Sequence, residues 1–413
     1  MKKILLSVLT LFGLTMFVMA DETTRLANPV ITVMPSLTIA PDAHAAGLGD
    51  VGAATTPDLN AQHWNPSKYA FMESKGGITA NYTPWLTKLV NDINLAYIAG
   101  YYNMGDLAGT ISASFTYFDM GDVTLMAWDG NYEGSELGTA SPNEWALDVA
   151  YSRKLHEYLS MAVALRFLYS DLNNGINMGS SGGGVVMDMY PAWTFAADVS
   201  LYYRQPIATP MGESYFALGF NLSNLGGKMT YNEGDTRHFI PANMRLGVSY
   251  ELPFDDYNRL MITAEANKML VPSQYSKFAV DENGEVLEGQ QLTEWHSEIS
   301  STNGWWQSFC DAPGHEASGL STAEEELQEI QWGIGLEYSY NRQFFGRVGY
   351  SHENYYKGNR RYVTLGAGFK LSIFSLDFAY CIATAPSNPL DGTMRFTLGF
   401  DLAGIKDLVN NKK

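Results

Sequence analysis

Two short motifs have residue types and spacing that could do chemistry. Gly47-Leu48-Gly49-Asp50-Val51-Gly52 has the G-x-G-x-x-G spacing of a phosphate-cradling turn. That chemistry needs a strand before the glycines and a helix after them, so that backbone N–H groups at the helix start meet a pyrophosphate. Neither neighbour reads that way, and what remains is close backbone packing at residues without side chains. Gly179-Ser180-Ser181-Gly182-Gly183 has the G-x-S-x-G spacing of a serine nucleophile on a strand-to-helix elbow. It lies in a Gly/Ser run between two stretches of strand pattern, which predicts a loop. The seven histidines are scattered without metal-ligand spacing. No carboxylate pair or triad can be assembled. These residues predict no catalytic group, no metal and no cofactor, and a chain that is not an enzyme.

Binding chemistry concentrates elsewhere. From Asp281 to Glu329 the chain carries twelve carboxylates and no Lys or Arg. Such a stretch is a solvated face, or it is bridged by cations or docks a protein. Trp295, Trp305 and Trp306 lie in the same stretch. Exposed indoles are costly unless they pack or bind, so these three are the candidate partner-docking residues. Cys310 is there too, and Cys381 lies far downstream. In an oxidising compartment the two could join as a loop-to-wall disulfide or stay apart, since spacing does not set their distance. Two cysteines at that spacing build no zinc or redox motif.

The elements that must position these residues begin with export. Lys2 and Lys3 precede an apolar run from Ile4 to Val18, ending at Met19-Ala20 before Asp21. This predicts a secretory signal peptide over 1–20. No later run has the length of a transmembrane helix. A net charge of -18 excludes nucleic acid as a partner. With 25 Tyr, 20 Phe and 39 Gly but only 17% charged residues, the composition favours strands.

From Gly76 onward apolar and polar residues alternate for about ten residues at a time, the length of a tilted membrane-spanning strand. Apolar rows read Ile93, Leu95, Tyr97, Ala99, Tyr101; Trp145, Leu147, Val149, Tyr151; Met161, Val163, Leu165, Phe167, Tyr169; and Trp193 through Tyr203. Later rows start at Met244, Trp332, Phe374 and Met394. The opposite faces carry Asp148, Arg166, Asp198, Arg245, Glu265, Glu337, Arg347, Asp377 and Arg395. Short links near Met104-Gly105, Leu155-His156, Pro253-Phe254, Asn341-Arg342 and Leu371-Ser372 alternate with long loops at 119–142, 171–188, 223–239 and 270–328. One intermediate link runs over 205–212. The expectation is an all-β transmembrane antiparallel β-barrel of about fourteen strands over 76–402 in the outer membrane, long loops outside. Residues 21–75 predict an irregular periplasmic or lumen-plugging segment with one short helix, and 403–413 a C-terminal tail. The acidic extracellular loop 270–328 is too long to be plain loop, and Ser321-Thr322-Ala323-Glu324 predicts a capped helix within it.

Thr38-Ile39-Ala40-Pro41-Asp42, Gly47 through Thr55, and His63-Trp64-Asn65-Pro66-Ser67-Lys68-Tyr69-Ala70 resemble the start of the PorV (LptO) family of the type IX secretion system. The likeness is most specific over 28–73; strand number and loop layout agree beyond it. More loosely, the glycine box with Gly47, Gly49, Asp50 and Gly52 and the Asn65-Pro66 box look like those of the FadL-like barrels. The PorV resemblance implies a non-enzymatic shuttle with four kinds of partner. It would take cargo, by a shared C-terminal signal domain, from the translocon barrel. It would deliver that cargo to a sortase-like attachment subunit, which joins it to lipopolysaccharide. The competing expectations are a FadL-like transporter of hydrophobic small molecules and a lipopolysaccharide deacylase. Charges of both signs on the inward faces, which would pair and fill the lumen, argue against the transporter.

Overall fold

The computed structural model describes residues 27–402 apart from 106, 129–133, 175–188, 233–235, 315–318, 372 and 386–387. The signal-peptide reading at 1–20, the Gly/Ser motif at 179–183 and the tail at 403–413 lie outside the described residues.

Among the described residues, period-two alternation resolves into sixteen strands. The first eight are β1 (Gly76–Pro84), β2 (Ile93–Asn103), β3 (Thr110–Met120), β4 (Val123–Trp128), β5 (Gly134–Ala140), β6 (Asn143–His156), β7 (Leu159–Asp171) and β8 (Ala192–Thr209). The rest are β9 (Gly212–Gly226), β10 (Asn243–Pro253), β11 (Asn258–Met269), β12 (Gln331–Tyr340), β13 (Phe344–His352), β14 (Arg361–Lys370), β15 (Phe374–Ala383) and β16 (Met394–Asp401). Fourteen of them pair antiparallel in one closed barrel; β16 seals onto β1, with Thr79 opposite Gly399. Closure pairs every edge, which is the condition for strands to cross hydrocarbon. No helix among the described residues is long and apolar enough to cross a membrane. Strands β4 and β5 form a separate hairpin inside the loop read over 119–142.

The links β2–β3, β6–β7, β8–β9, β10–β11, β12–β13 and β14–β15 are short and share one end, where β1 also begins and β16 ends. That end is periplasmic, and the longer loops face outward. Leu147, Val149 and Tyr151 on β6 are exposed to lipid, while Asp148 between them is buried in the lumen. Tyr82 and Trp193 mark the outer ends of strands and Tyr102, Tyr340 and Phe344 the inner ends, as interfacial girdles require.

Two readings change. The row Leu95, Tyr97, Ala99 and Tyr101 on β2 faces the lumen rather than lipid, and is buried. It packs on the N-terminal segment, with Leu95 and Tyr97 beside Ile39 and Tyr101 stacked on Tyr69 at 5.0 Å. An apolar face needs an apolar neighbour, and here the plug supplies it instead of lipid. The link read over 205–212 is mostly strand, because β8 and β9 continue as a ribbon past β7 and turn only at Pro210-Met211. Pro206 fits there because β8 has lost its β7 partner, so the missing N–H faces the open edge.

The chain enters among the outer loops, where Asn28 N–H donates to the Tyr356 carbonyl and Val33 N–H to the Phe239 carbonyl. It then runs inside the cylinder as turns with two one-turn helices, α1 (Ala43–Ala46) and α2 (Ala61–Trp64), and 3-10 turns at Pro35–Thr38 and Pro66–Phe71. The outer loop after β11 folds into α3 (Gly289–Glu298), α4 (Ser301–Gln307) and α5 (Thr322–Gln328).

Candidate functional site

The glycine box works by absence of side chains. Gly49 has φ +79°, and a Cβ there would stand 2.7 Å from the Tyr350 carbonyl oxygen on β13. Facing wall positions are glycine as well: a Cβ on Gly335 would stand 2.7 Å from the Leu48 carbonyl, and Gly349 and Gly219 press on Gly49 and Ala53. Backbone therefore lies directly on backbone, and the plug N–H groups reach wall side chains. Gly49 N–H donates to Thr364 Oγ1 at 3.0 Å, and Gly52 and Ala53 N–H both donate to Glu265 Oε2, at 2.9 and 2.7 Å. Asp50 accepts from the Tyr362 hydroxyl. Asn65 donates to the Ala53 and Leu201 carbonyls at 2.9 and 3.0 Å, and Pro66 opens the following 3-10 turn. Lys68, fully buried, donates to the Gly52 carbonyl at 3.0 Å and to Asp58 at 2.7 Å. The motif residues Gly47, Gly49, Asp50, Gly52, Asn65 and Pro66 thus come together as a staple between plug and wall.

Of the inward charges read from the sequence all but Arg395 pair, and Arg395 Nε donates to the Ala40 carbonyl at 3.0 Å instead. Arg166 lies between Asp148 and Asp198, the latter at 2.9 Å. Arg347 holds Glu337 and Asp377, each at 2.6 Å, and Arg245 meets Glu265 at 3.3 Å. On the outer side of the plug a cavity of about 630 Å³ remains, walled by Leu37, Ile39, Trp85, Phe118, Met120 and Trp332, with Arg245 and Arg395 among its lining.

The outer loop does not place its three tryptophans alike. Trp306 is 76% exposed. Trp305, its neighbour on α4, packs into a cluster with Phe239 and Val271. Trp295 on α3 is half-buried, edge-on to His296 at 4.9 Å. Phe309 and Leu327 are also exposed on this loop. Lys228, whose ammonium is pushed down to about 8 by burial, donates to the Ser297 carbonyl at 3.3 Å and ties α3 to the neighbouring loop.

The acidic stretch is not one solvated face. Glu325, Glu326 and Glu329 turn inward from α5 and its end. Their cations come from the rim: Lys268 at the top of β11 lies 3.0 Å from Glu326 and 2.6 Å from Glu329, and Lys357, in the 3-10 turn between β13 and β14, lies 2.8 Å from Glu325 and 2.9 Å from Glu329. Burial, then the neighbouring Glu329, pushes the Asp311 carboxyl up to about 7. Sequence reasoning missed Lys268, although a signal existed. It shares the outward phase of Ile262 and Ala264, where a charge would meet lipid, so something had to cover it.

Cys310 and Cys381 are both free in this structure, the first exposed and the second buried. Asp311, next to Cys310, is tied to Ser273 and Lys277 just above β11, whereas Cys381 lies on β15, four strands around the wall. The loop-to-wall disulfide weighed above is not formed.

A family model described as "Type IX secretion system protein PorV" matches residues 22–276. No curated protein matches the chain. Among solved structures, the toluene transporter TbuX of Ralstonia pickettii is similar at TM-score 0.48 and 12% identity, over 87% of this chain and 97% of that one. The toluene transporter TodX of Pseudomonas putida gives 0.47 and 11%, over 87% and 96%. A FadL homologue of Pseudomonas aeruginosa gives 0.42 and 12%, over 91% and 99%.

Proposed function

The chain belongs to the PorV family of type IX secretion system proteins, and from that premise we propose that it is an outer-membrane shuttle for secreted cargo. It binds the C-terminal signal domain of cargo leaving the translocon barrel and passes it to a sortase-like attachment subunit, which joins it to lipopolysaccharide. The observation that carries this reading is the filled lumen. Residues 34–75 occupy the cylinder and are bonded to its wall around the circumference, which supports a role at the barrel's surface rather than through its bore. What the protein offers to others is its outer loops. There Trp306, Phe309 and Leu327 are exposed on a loop that also carries the exposed carboxylates Glu282, Glu285, Glu294 and Glu324, a pairing of apolar anchors with charge that suits protein recognition. In this reading Trp306 is the main cargo anchor, Trp295 contributes its free edge and Trp305 holds the loop's shape. Gly47, Gly49, Asp50, Gly52, Asn65 and Pro66 keep the plug in place, and the chain itself performs no reaction.

The second reading is a transporter of hydrophobic small molecules. The cavity of about 630 Å³ above the plug favours it, being of ligand size and largely apolar in its walls. Against it, the floor of that cavity is the stapled plug, including Asp50 and Trp64.

Gentle detergent extraction followed by identification of co-purifying molecules separates the two. Secreted proteins sharing a C-terminal domain, lost on Trp306→Ala, are the outcome expected of a shuttle. Bound apolar small molecule with no protein partner overturns it in favour of transport.

A further inference from the structure

The pocket under α5 gathers more carboxylates than the ammoniums that face them. Asp311, Glu326 and Glu329 each bring a carboxylate oxygen within 4.8 Å of the others. Glu325 joins through Lys357, and the described cations are Lys268 and Lys357. The cluster is buried: Asp311 is 0% exposed, Glu329 7% and Glu326 9%. Its donors are otherwise spoken for. Glu326 Oε1 accepts from the Ala312 N–H at 2.8 Å, and Glu329 Oε1 accepts from the Ser273 hydroxyl and Lys357. Asp311 is the exception. Its Oδ2 accepts from the Ser273 N–H at 2.7 Å, while its Oδ1 is buried without a hydrogen-bond partner. A buried carboxylate oxygen left bare is costly, and such sites call for a cation.

We propose that this pocket is a calcium site in which Asp311, Glu326 and Glu329 are the carboxylate ligands. No two of these oxygens are farther apart than 4.8 Å, the diameter of a coordination sphere drawn at the calcium–oxygen distance of about 2.4 Å. The donors are all hard oxygens, which excludes zinc and copper as preferred occupants. Magnesium demands a near-ideal octahedron and keeps its waters, whereas calcium accepts the irregular set that one loop residue and two helix-end residues can offer. Lys268 takes Glu326 Oε2 and Glu329 Oε2 and Lys357 takes Glu329 Oε1, and carboxylate oxygens have further lone pairs for an ion. The ion would tie three parts of the outer loop to the barrel rim: the Asp311 turn, α5, and the 273–277 stretch bonded to Asp311. The ion would add to the hold that the Ser321 cap and the Lys268 and Lys357 ion pairs already give the docking loop, making it firmer where calcium is supplied from outside. This holds whichever partner the loop meets, so its fate is separate from that of the shuttle reading.

The test uses full-length protein in detergent, stripped with EGTA and titrated with calcium chloride in a calorimeter. The expected result is one calcium per chain with Kd on the order of 10⁻⁴–10⁻³ M, the range of extracellular calcium modules. Asp311→Asn is expected to weaken binding by tenfold or more, on the order seen when a metal site loses a supporting group. Glu282→Gln, exposed in the same loop, is expected to leave it unchanged. Calcium should also slow protease cleavage within 270–330 in the wild type but not in Asp311→Asn. Should Asp311→Asn fail to form the barrel, Glu326→Gln takes its place. No calcium uptake at millimolar concentration overturns the proposal, and so does unchanged affinity in a folded variant.

Discussion

Gly49 combines a left-handed backbone with direct contact on β13, so the consequence of adding one methyl group can be worked out. The conformation alone costs about 1–2 kcal/mol for a residue with a Cβ, and overpacking against the Tyr350 backbone about 1–3 kcal/mol more. Gly49→Ala is expected to lower the midpoint of thermal unfolding while strand content below the transition stays that of the wild type; an unchanged midpoint would remove the staple from the account. The tryptophans make an opposed pair. Trp306→Ala removes an exposed ring and is expected to leave stability within about 0.5 kcal/mol, while reducing recovered cargo by the amount of an interface anchor, about 2 kcal/mol or more. Trp305→Ala is expected to cost the loop about 1.5–3 kcal/mol of apolar burial, read as faster proteolysis of 270–330. Equal effects of the two would contradict their separate roles. At this scale the close packing of Gly47, Gly49 and Gly52 was legible, because a glycine motif without its βαβ surroundings leaves little else for it to do. The pairing of Glu326 and Glu329 with Lys268 was not, since those residues stand 58 and 61 positions apart and meet only when the loop folds back on the rim.

Helix α5 shows what local chemistry does for an element. Ser321 accepts from the Glu324 N–H at 3.3 Å and Glu324 accepts from the Ser321 N–H at 2.9 Å, the reciprocal pair its sequence predicts. At seven residues the helix is too short to persist by propensity, so the cap and the inward carboxylates must hold it. Ser321→Ala is expected to cost about 1 kcal/mol, seen as roughly fivefold faster amide exchange across 322–328; exchange unchanged there would mean that the ion pairs alone fix α5. Strands were legible wherever one face meets lipid and the other charge, as on β6 and β12. On β2 the period was right and the facing wrong: Leu95, Tyr97 and Ala99 look like a lipid row because the plug presents Ile39 to them. Alternation tells that two faces differ, and only the neighbour decides which is inside.

For the molecule as a whole, the plug determines whether fourteen strands make a channel or a closed post. Barrel class and strand number were legible from period, length and loop order, which are local. The plug's seat was not, because its bonds join residues as far apart as Ala40 and Arg395, 355 positions, through backbone groups that carry no pattern in the sequence. Without residues 27–75, Glu265, Thr364 and Ser249 lose partners and Gly219, Gly335 and Gly349 line bare wall. Arg347, Glu337 and Asp377 would remain in the lumen, where only water could solvate what the plug now covers. A wet lumen conducts ions. Planar bilayers holding the full chain are therefore expected to show no steady conductance, and those holding a chain lacking 27–75, refolded into the same lipid, a steady ohmic one. If the full chain conducted on its own, the cylinder would have a continuous path past the plug, and the proposed contacts would no longer be confined to the outer loops.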